Sequence, residues 1–202
     1  DYISPAVVNL HETYASSTSE LVTELLSYGV ESSDVLPIEA KALLSGICLD
    51  TKFFNVRTGE RTFEAAAALR RMGADTTEVK LLMQNDFQDT VAKYQIVKSA
   101  KLYRGELAIA ALNYGTTRPL AAQAADDLLN IAGAEASIVI YPTADGNVFA
   151  SARSIGDMNV QIIMEKMGGG GNRAAAAAQM ENISLDDAVE KLHQVIDESL
   201  DE

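Results

Sequence analysis

The stretch Ala136-Ser137-Ile138-Val139-Ile140-Tyr141, the dipeptide Asp145-Gly146 and the run Val148 to Ser154 read together as two strands joined by a hairpin turn. The first run is apolar almost throughout, as a buried strand is, and Asp-Gly supplies the tight reversal. Working towards the N-terminus, Ala121 to Ile131 carries a helical pattern stopped by Gly133, and Leu107-Ala108-Ile109-Ala110-Ala111-Leu112 reads as another strand. A β-α-β-β order with further helices after it predicts a compact α/β layer of about one hundred residues.

Working towards the C-terminus, the second hairpin strand ends in Ala152-Arg153-Ser154, and Asn159 to Met167 is predicted helical. That helix delivers four consecutive glycines, Gly168, Gly169, Gly170 and Gly171, which run into Asn172-Arg173 and the alanines Ala174 to Ala178. Each glycine loses more backbone entropy on folding than any other residue and adds no packing surface, so a run of them needs a reason. A flexible tether is one reading, but linkers are usually rich in serine and lysine, and helix-like apolar sequence presses on both sides here. The other reading is a cradle of bare N–H groups that approach a phosphate at a helix start. Arg153, at a strand end facing this loop, can fork two hydrogen bonds onto a phosphate, and a plain surface arginine of the strand is the other reading. Ser184 to Leu200 forms a terminal amphipathic helix with Leu185, Val189, Leu192 and Ile196 inward. His193 on that helix and His11 near the entry lack partners at metal-ligand spacing and are read as structural or exposed.

The first half reads as helical. Ser17 caps a helix containing Leu21, Val22, Leu25 and Leu26, with Glu20 placed to complete a capping box, and Gly29 ends it. Pro37 opens a second helix through Ala40, Leu43, Leu44 and Ile47 that terminates at Leu49-Asp50-Thr51. Asp50 follows an apolar run, and a carboxylate near a core must be paired, hydrogen-bonded or metal-bound; on residue type alone, a cap and a metal ligand both remain open. A third helix is predicted from Thr62 through Met72 with Gly73 as its C-terminal cap. From Asp75 to about Lys101, Val79, Leu82, Met83, Phe87, Val91, Tyr94 and Val97 recur at helical spacing, which predicts a long connecting helix.

Composition sets the limits. The 202 residues are 48% hydrophobic and 22% charged, an ordinary globular balance. No apolar run approaches the roughly 20 residues needed to cross a bilayer, and the N-terminus lacks a secretion signature. The segment is therefore expected to make no membrane contact. A formal charge of −13 disfavours long nucleic acids, although Lys52, Arg57, Arg61, Arg70 and Arg71 concentrate positive charge locally and leave room for a small anion. One cysteine, Cys48, excludes an internal disulfide and fits a reducing cytoplasm.

Four ordered motifs carry a resemblance to a known family. Ala15-Ser16-Ser17-Thr18-Ser19-Glu20-Leu21-Val22, Ala42 through Thr51, Arg57-Thr58-Gly59-Glu60-Arg61-Thr62-Phe63, and Ser151 through the glycines resemble a DHH/DHHA1 phosphoesterase. The subgroup they are most similar to is the membrane-anchored cyclic-di-AMP phosphodiesterases. The resemblance implies the later part of a DHH domain over residues 1–75, a helical linker over 76–101 and a DHHA1 substrate-binding domain over 102–202. It implies two manganese ions that activate water and neutralise phosphate. Asp50 matches a metal-ligand aspartate of that set. Arg153, Ser154, Gly168 to Gly171 and Asn172 match the segment that grips the substrate, a cyclic or short linear dinucleotide. The Asp-His-His triplet that names the family has no counterpart in this sequence, and one carboxylate cannot hold two metals, so this chain alone is expected to be inactive. The family usually has histidine where Asn172 stands and asparagine where Ala175 stands. Asparagine can donate to a phosphate oxygen but cannot carry charge or shuttle a proton. Two further functions remain open: a nucleotide-binding module without catalysis, and a related phosphatase acting on short oligonucleotides or pyrophosphate. A homodimer is an allowed assembly.

Overall fold

A computed structural model describes residues 5–7 and 9–200. The chain divides into two compact units, Asp1–Gln84 and Asn85–Glu202.

The first unit is helical: α1 (Thr18–Gly29), α2 (Pro37–Asp50), α3 (Glu60–Arg71) and α4 (Thr76–Leu82). Its core gathers Ala40, Leu44, Ile47 and Cys48 from α2, Ala65 and Leu69 from α3, and Val79 from α4. Ser17 caps α1, accepting from the Glu20 N–H (3.1 Å). The Glu20 carboxylate does not return to Ser17, as a capping box would require; it accepts from the backbone and hydroxyl of Ser16, and both residues are buried. Helix α3 begins two residues earlier than the sequence predicts, because Gly59 serves as its N-cap and donates to Thr62 Oγ1 (3.1 Å). Gly73 closes the turn after α3 at φ +100°, a conformation in which any Cβ is strained.

The long connecting helix expected from Asp75 to Lys101 is two helices. Helix α4 stops at Leu82, and α5 (Phe87–Ser99) starts afresh with Asp86 as its cap, accepting from Gln88 N–H (2.7 Å). The Gln84-Asn85-Asp86 stretch favours side-chain capping over helix continuation. The boundary between the units falls inside it.

The second unit is a three-layer α/β/α domain. Its strands are β1 (Lys101–Tyr103), β2 (Leu107–Ala111), β3 (Ala136–Pro142), β4 (Val148–Ser154), β5 (Gly170–Asn172) and β6 (Ala175–Met180), in sheet order β1-β2-β3-β4-β6-β5. Among the described strands only β2 and β3 pair in parallel, joined by α6 (Arg118–Leu128). Helices α5 and α6 cover one face around Ala108, Ala110, Val139 and Phe149; α7 (Val160–Lys166) and α8 (Leu185–Leu200) cover the other around Ile138, Ala150 and Ala176. Among the described residues no helix is long and apolar enough to cross a membrane.

The glycines and alanines depart from the predicted helix start. The glycines leave the C-terminal end of α7 and enter a second hairpin, and the alanine tract is the strand β6 rather than a helix. Alanine has the highest intrinsic helix propensity, so pairing decides the outcome: β6 lies in register with β4 from Val148↔Met180 to Arg153↔Ala175.

Candidate functional site

In the second unit the register of three strands assembles a shelf. Arg153, Ala175 and Asn172 stand in one row across β4, β6 and β5, and Ser151, Ala177 and Gly170 form the next parallel row. Phe149 and Gln179 form the row beyond. Residues directly opposite or two apart along a strand share a face, and Phe149 and Ala177 place this one on the α6 side. The floor between the outer rows is therefore Ser151, Ala177 and Gly170, with Ala175 between Arg153 and Asn172 in the first row, so no side chain on it is larger than serine.

The four glycines perform different tasks. Gly168, at φ +88°, caps α7, donating to Glu165 O (2.9 Å) while Gly169 N–H reaches Met164 O (2.8 Å). A Cβ on Gly169 would lie 2.0 Å from the Ala177 carbonyl oxygen, and one on Gly171 2.4 Å from the Ala176 Cα. Those two glycines let β5 lie against β6. A Cβ on Gly170 would meet nothing within 4 Å, and Gly170 has no left-handed backbone to accommodate. The fold gives no reason for glycine at that position.

Two arginines stand at opposite ends of the shelf. Arg153 is oriented by Asp126 of α6 (Nε–Oδ1 3.2 Å), by the Ala152 carbonyl (2.8 Å) and by Ser151 Oγ (3.4 Å). Arg118, the first residue of α6, lies over the Phe149 ring at 4.7 Å and donates to Gln179 Oε1 (2.7 Å). Four residues of strand separate the Arg153 and Phe149 rows, about 13 Å at strand spacing. Burial pushes the neighbouring Tyr141 phenol up, with the Arg118 charge opposing the shift. Asn172 closes the far edge: its Oδ1 accepts from the N–H groups of Ala174 and Ala175 (3.0 Å each), fixing the β5–β6 turn. With an arginine at each end, a floor of small side chains and an outer strand edge, this surface can receive an elongated ligand bearing more than one anionic group.

Ser154 is not part of this surface. It alternates to the opposite face from Arg153, where its Oγ is buried without a partner and its N–H donates to Ala174 O (2.9 Å). Arg118, Phe149 and Gln179 did not stand out in the sequence. Their joining depends on the register of β6, which an alanine tract does not announce.

Asp50 lies in the first unit, as the last residue of α2. It is exposed rather than held near a core. A carboxylate there faces the negative end of the helix dipole, so a bound cation would suit it. Among the described residues, however, no group of three or more His, Cys, Asp or Glu side chains could hold a metal ion. The described residues alone do not fit a manganese centre. After Asp50 the chain turns on Thr51, which is fully buried; Thr51 Oγ1 donates to Ile47 O (2.7 Å) and accepts from Phe54 N–H (3.0 Å).

Comparison with known proteins adds the following. Residues 104–201 match the DHHA1 domain family. The chain is 45% identical over 198 residues to the cyclic-di-AMP phosphodiesterase PdeA of Listeria monocytogenes, covering 96% of this chain and 30% of that protein. It is 43% identical over 202 residues to the cyclic-di-AMP phosphodiesterase GdpP of Bacillus subtilis, covering 98% of this chain and 31% of that protein. The chain thus spans about a third of the length of these relatives. An exopolyphosphatase-related protein from Bacteroides fragilis shares the fold, with a TM-score of 0.84 at 19% identity over 95% of this chain and 59% of that one.

Proposed function

We propose, since the chain belongs to the DHH/DHHA1 phosphoesterase family, that it is the C-terminal part of a phosphodiesterase that hydrolyses cyclic-di-AMP to a linear dinucleotide. The similarity to PdeA and GdpP over nearly the whole chain supports the reaction class. The observation that carries the substrate-binding role is Gly170, a glycine without a fold requirement, on a floor between two oriented arginines.

In this reading Arg153 and Arg118 receive phosphate oxygens, and Asp126 and Gln179 hold the two guanidinium groups ready. Gly170 keeps the floor open for close approach to backbone N–H groups. Asn172 keeps the hairpin turn in shape and can donate from its amide. Asp50 is proposed as one donor to manganese in the complete protein, where upstream residues would supply the rest. A reducing, cytoplasmic setting suits the buried single thiol of Cys48.

The test is a hydrolysis assay with cyclic-di-AMP and manganese. This chain alone is expected to show no turnover, whereas a polypeptide restoring the upstream Asp-His-His segment does. Robust turnover by this chain would overturn the assignment of the metal donors. Binding without turnover by the complete protein would replace the enzyme reading with that of a nucleotide-binding module.

A further inference from the structure

Among the described residues, two buried hydroxyls have no hydrogen-bond partner, Ser154 Oγ and the Tyr141 phenol. Ser154 lies on the face away from the shelf. Tyr141 lies on the shelf's own face. It stands opposite Phe149 across β3 and β4, as Gln179 does across β4 and β6, so the row at the Arg118 end runs Tyr141, Phe149, Gln179.

Packing explains the Tyr141 ring and leaves its hydroxyl unexplained. The residue is 1% exposed, its ring tilts against Phe149 at 5.6 Å between centroids, and it shares a core with Ala121, Ala124 and Leu128 of α6. Phenylalanine would make the same contacts, whereas an unpaired buried hydroxyl costs free energy that the ring alone does not. Burial pushes the phenol pKa up, so the group keeps its proton at neutral pH and has it to donate.

Arg118 is the neighbour that gives this proton a destination. It is exposed, lies over the Phe149 ring at 4.7 Å, and its charge is felt at the Tyr141 hydroxyl. A guanidinium has five donors and no acceptor, so Arg118 cannot satisfy the phenol by itself. An anionic oxygen received by Arg118 is an acceptor for both.

We propose that the Tyr141 hydroxyl is a further binding donor of the shelf, directed to the ligand phosphate oxygen that Arg118 receives. The guanidinium turns from Phe149 to that oxygen, and the phenol beside it donates to the same atom. A residue the core would accept as phenylalanine is thereby kept as tyrosine for the ligand. This inference rests on the dinucleotide reading above.

Calorimetric titration of cyclic-di-AMP into the parent chain, Tyr141→Phe, Arg118→Ala and the double variant, with melting curves for each, tests it. Tyr141→Phe is expected to bind about tenfold more weakly, as loss of a hydrogen bond to a charged group does, with a melting temperature equal to or above the parent's. The double variant is expected to bind no more weakly than Arg118→Ala, because one oxygen serves both donors. Saturable heat from the parent with unchanged affinity in Tyr141→Phe, additive losses in the double variant, or a lowered melting temperature in Tyr141→Phe would each overturn the inference and leave the dinucleotide reading standing. No heat from the parent chain would remove both.

Discussion

Asn172 shows how one side chain serves fold and ligand together. Its Oδ1 accepts two backbone N–H groups, so its amide Nδ2 is turned away from the turn and presented outward. Asn172→Asp keeps those acceptor bonds but replaces the amide donor with negative charge. It is expected to retain the melting temperature while weakening cyclic-di-AMP binding at least tenfold by calorimetry, since like charge opposes a phosphate. Asp50 and Thr51 make a second pair of this kind, with the exposed carboxylate next to a buried hydroxyl that fixes the turn. Thr51→Val leaves Phe54 N–H without its acceptor and is expected to destabilise the chain by about 1–3 kcal/mol in denaturant unfolding, with Thr51→Ser close to the parent. The sequence marked Asp50 as a position of interest, yet its exposure follows from where α2 ends, which the apolar run before it does not reveal.

Among elements, the glycine hairpin separates what the fold requires from what it leaves open. Gly169→Ala drives a methyl group into the Ala177 carbonyl and is expected to lower stability by about 1–3 kcal/mol in chemical unfolding, as overpacking does. Helices α1 and α3 are tied by Glu24 and Arg61 (Oε1–Nε 2.7 Å). The bond to Arg61 holds the Glu24 carboxyl below the usual glutamate range, outweighing its desolvation. A carboxyl depressed in the folded state contributes stability above its unfolded pKa, about 4.3, and loses it as pH falls through the folded value. Glu24→Gln should therefore lower the unfolding free energy at pH 7, measured by denaturant unfolding, by no more than about 1 kcal/mol for such an exposed pair, and the difference should shrink towards pH 3. Element ends were legible where punctuation is chemical: Ser17, Pro37, Gly73 and Asn159 all mark boundaries that the structure has, whereas α6 runs from Arg118 to Leu128 and ends before the Ile131 and Gly133 stop that the sequence predicts. The strands β1, β5 and β6 were not legible. Three-residue strands have no period to detect, and a tract of alanines carries no face until β4 pairs with it.

For the molecule as a whole, the α/β class followed from Ala136 to Ser154 and its neighbours, because a buried hairpin beside a strand–helix–strand unit leaves few packings. The shelf was only half legible. Arg153 and the glycines stand out in one dimension, whereas Arg118, Phe149 and Gln179 join them through sheet register alone. On the function proposed above, this shelf is a dinucleotide-binding surface and Gly170 is kept bare for the ligand. Calorimetric titration of cyclic-di-AMP into the parent chain and into Gly170→Ala, with melting curves for both, tests it most directly. The expected result is saturable heat with the parent, an affinity at least tenfold weaker in Gly170→Ala, and a melting temperature equal to or above the parent's, since alanine restricts the unfolded chain. Equal affinities in the two proteins, or no heat with the parent, would contradict it.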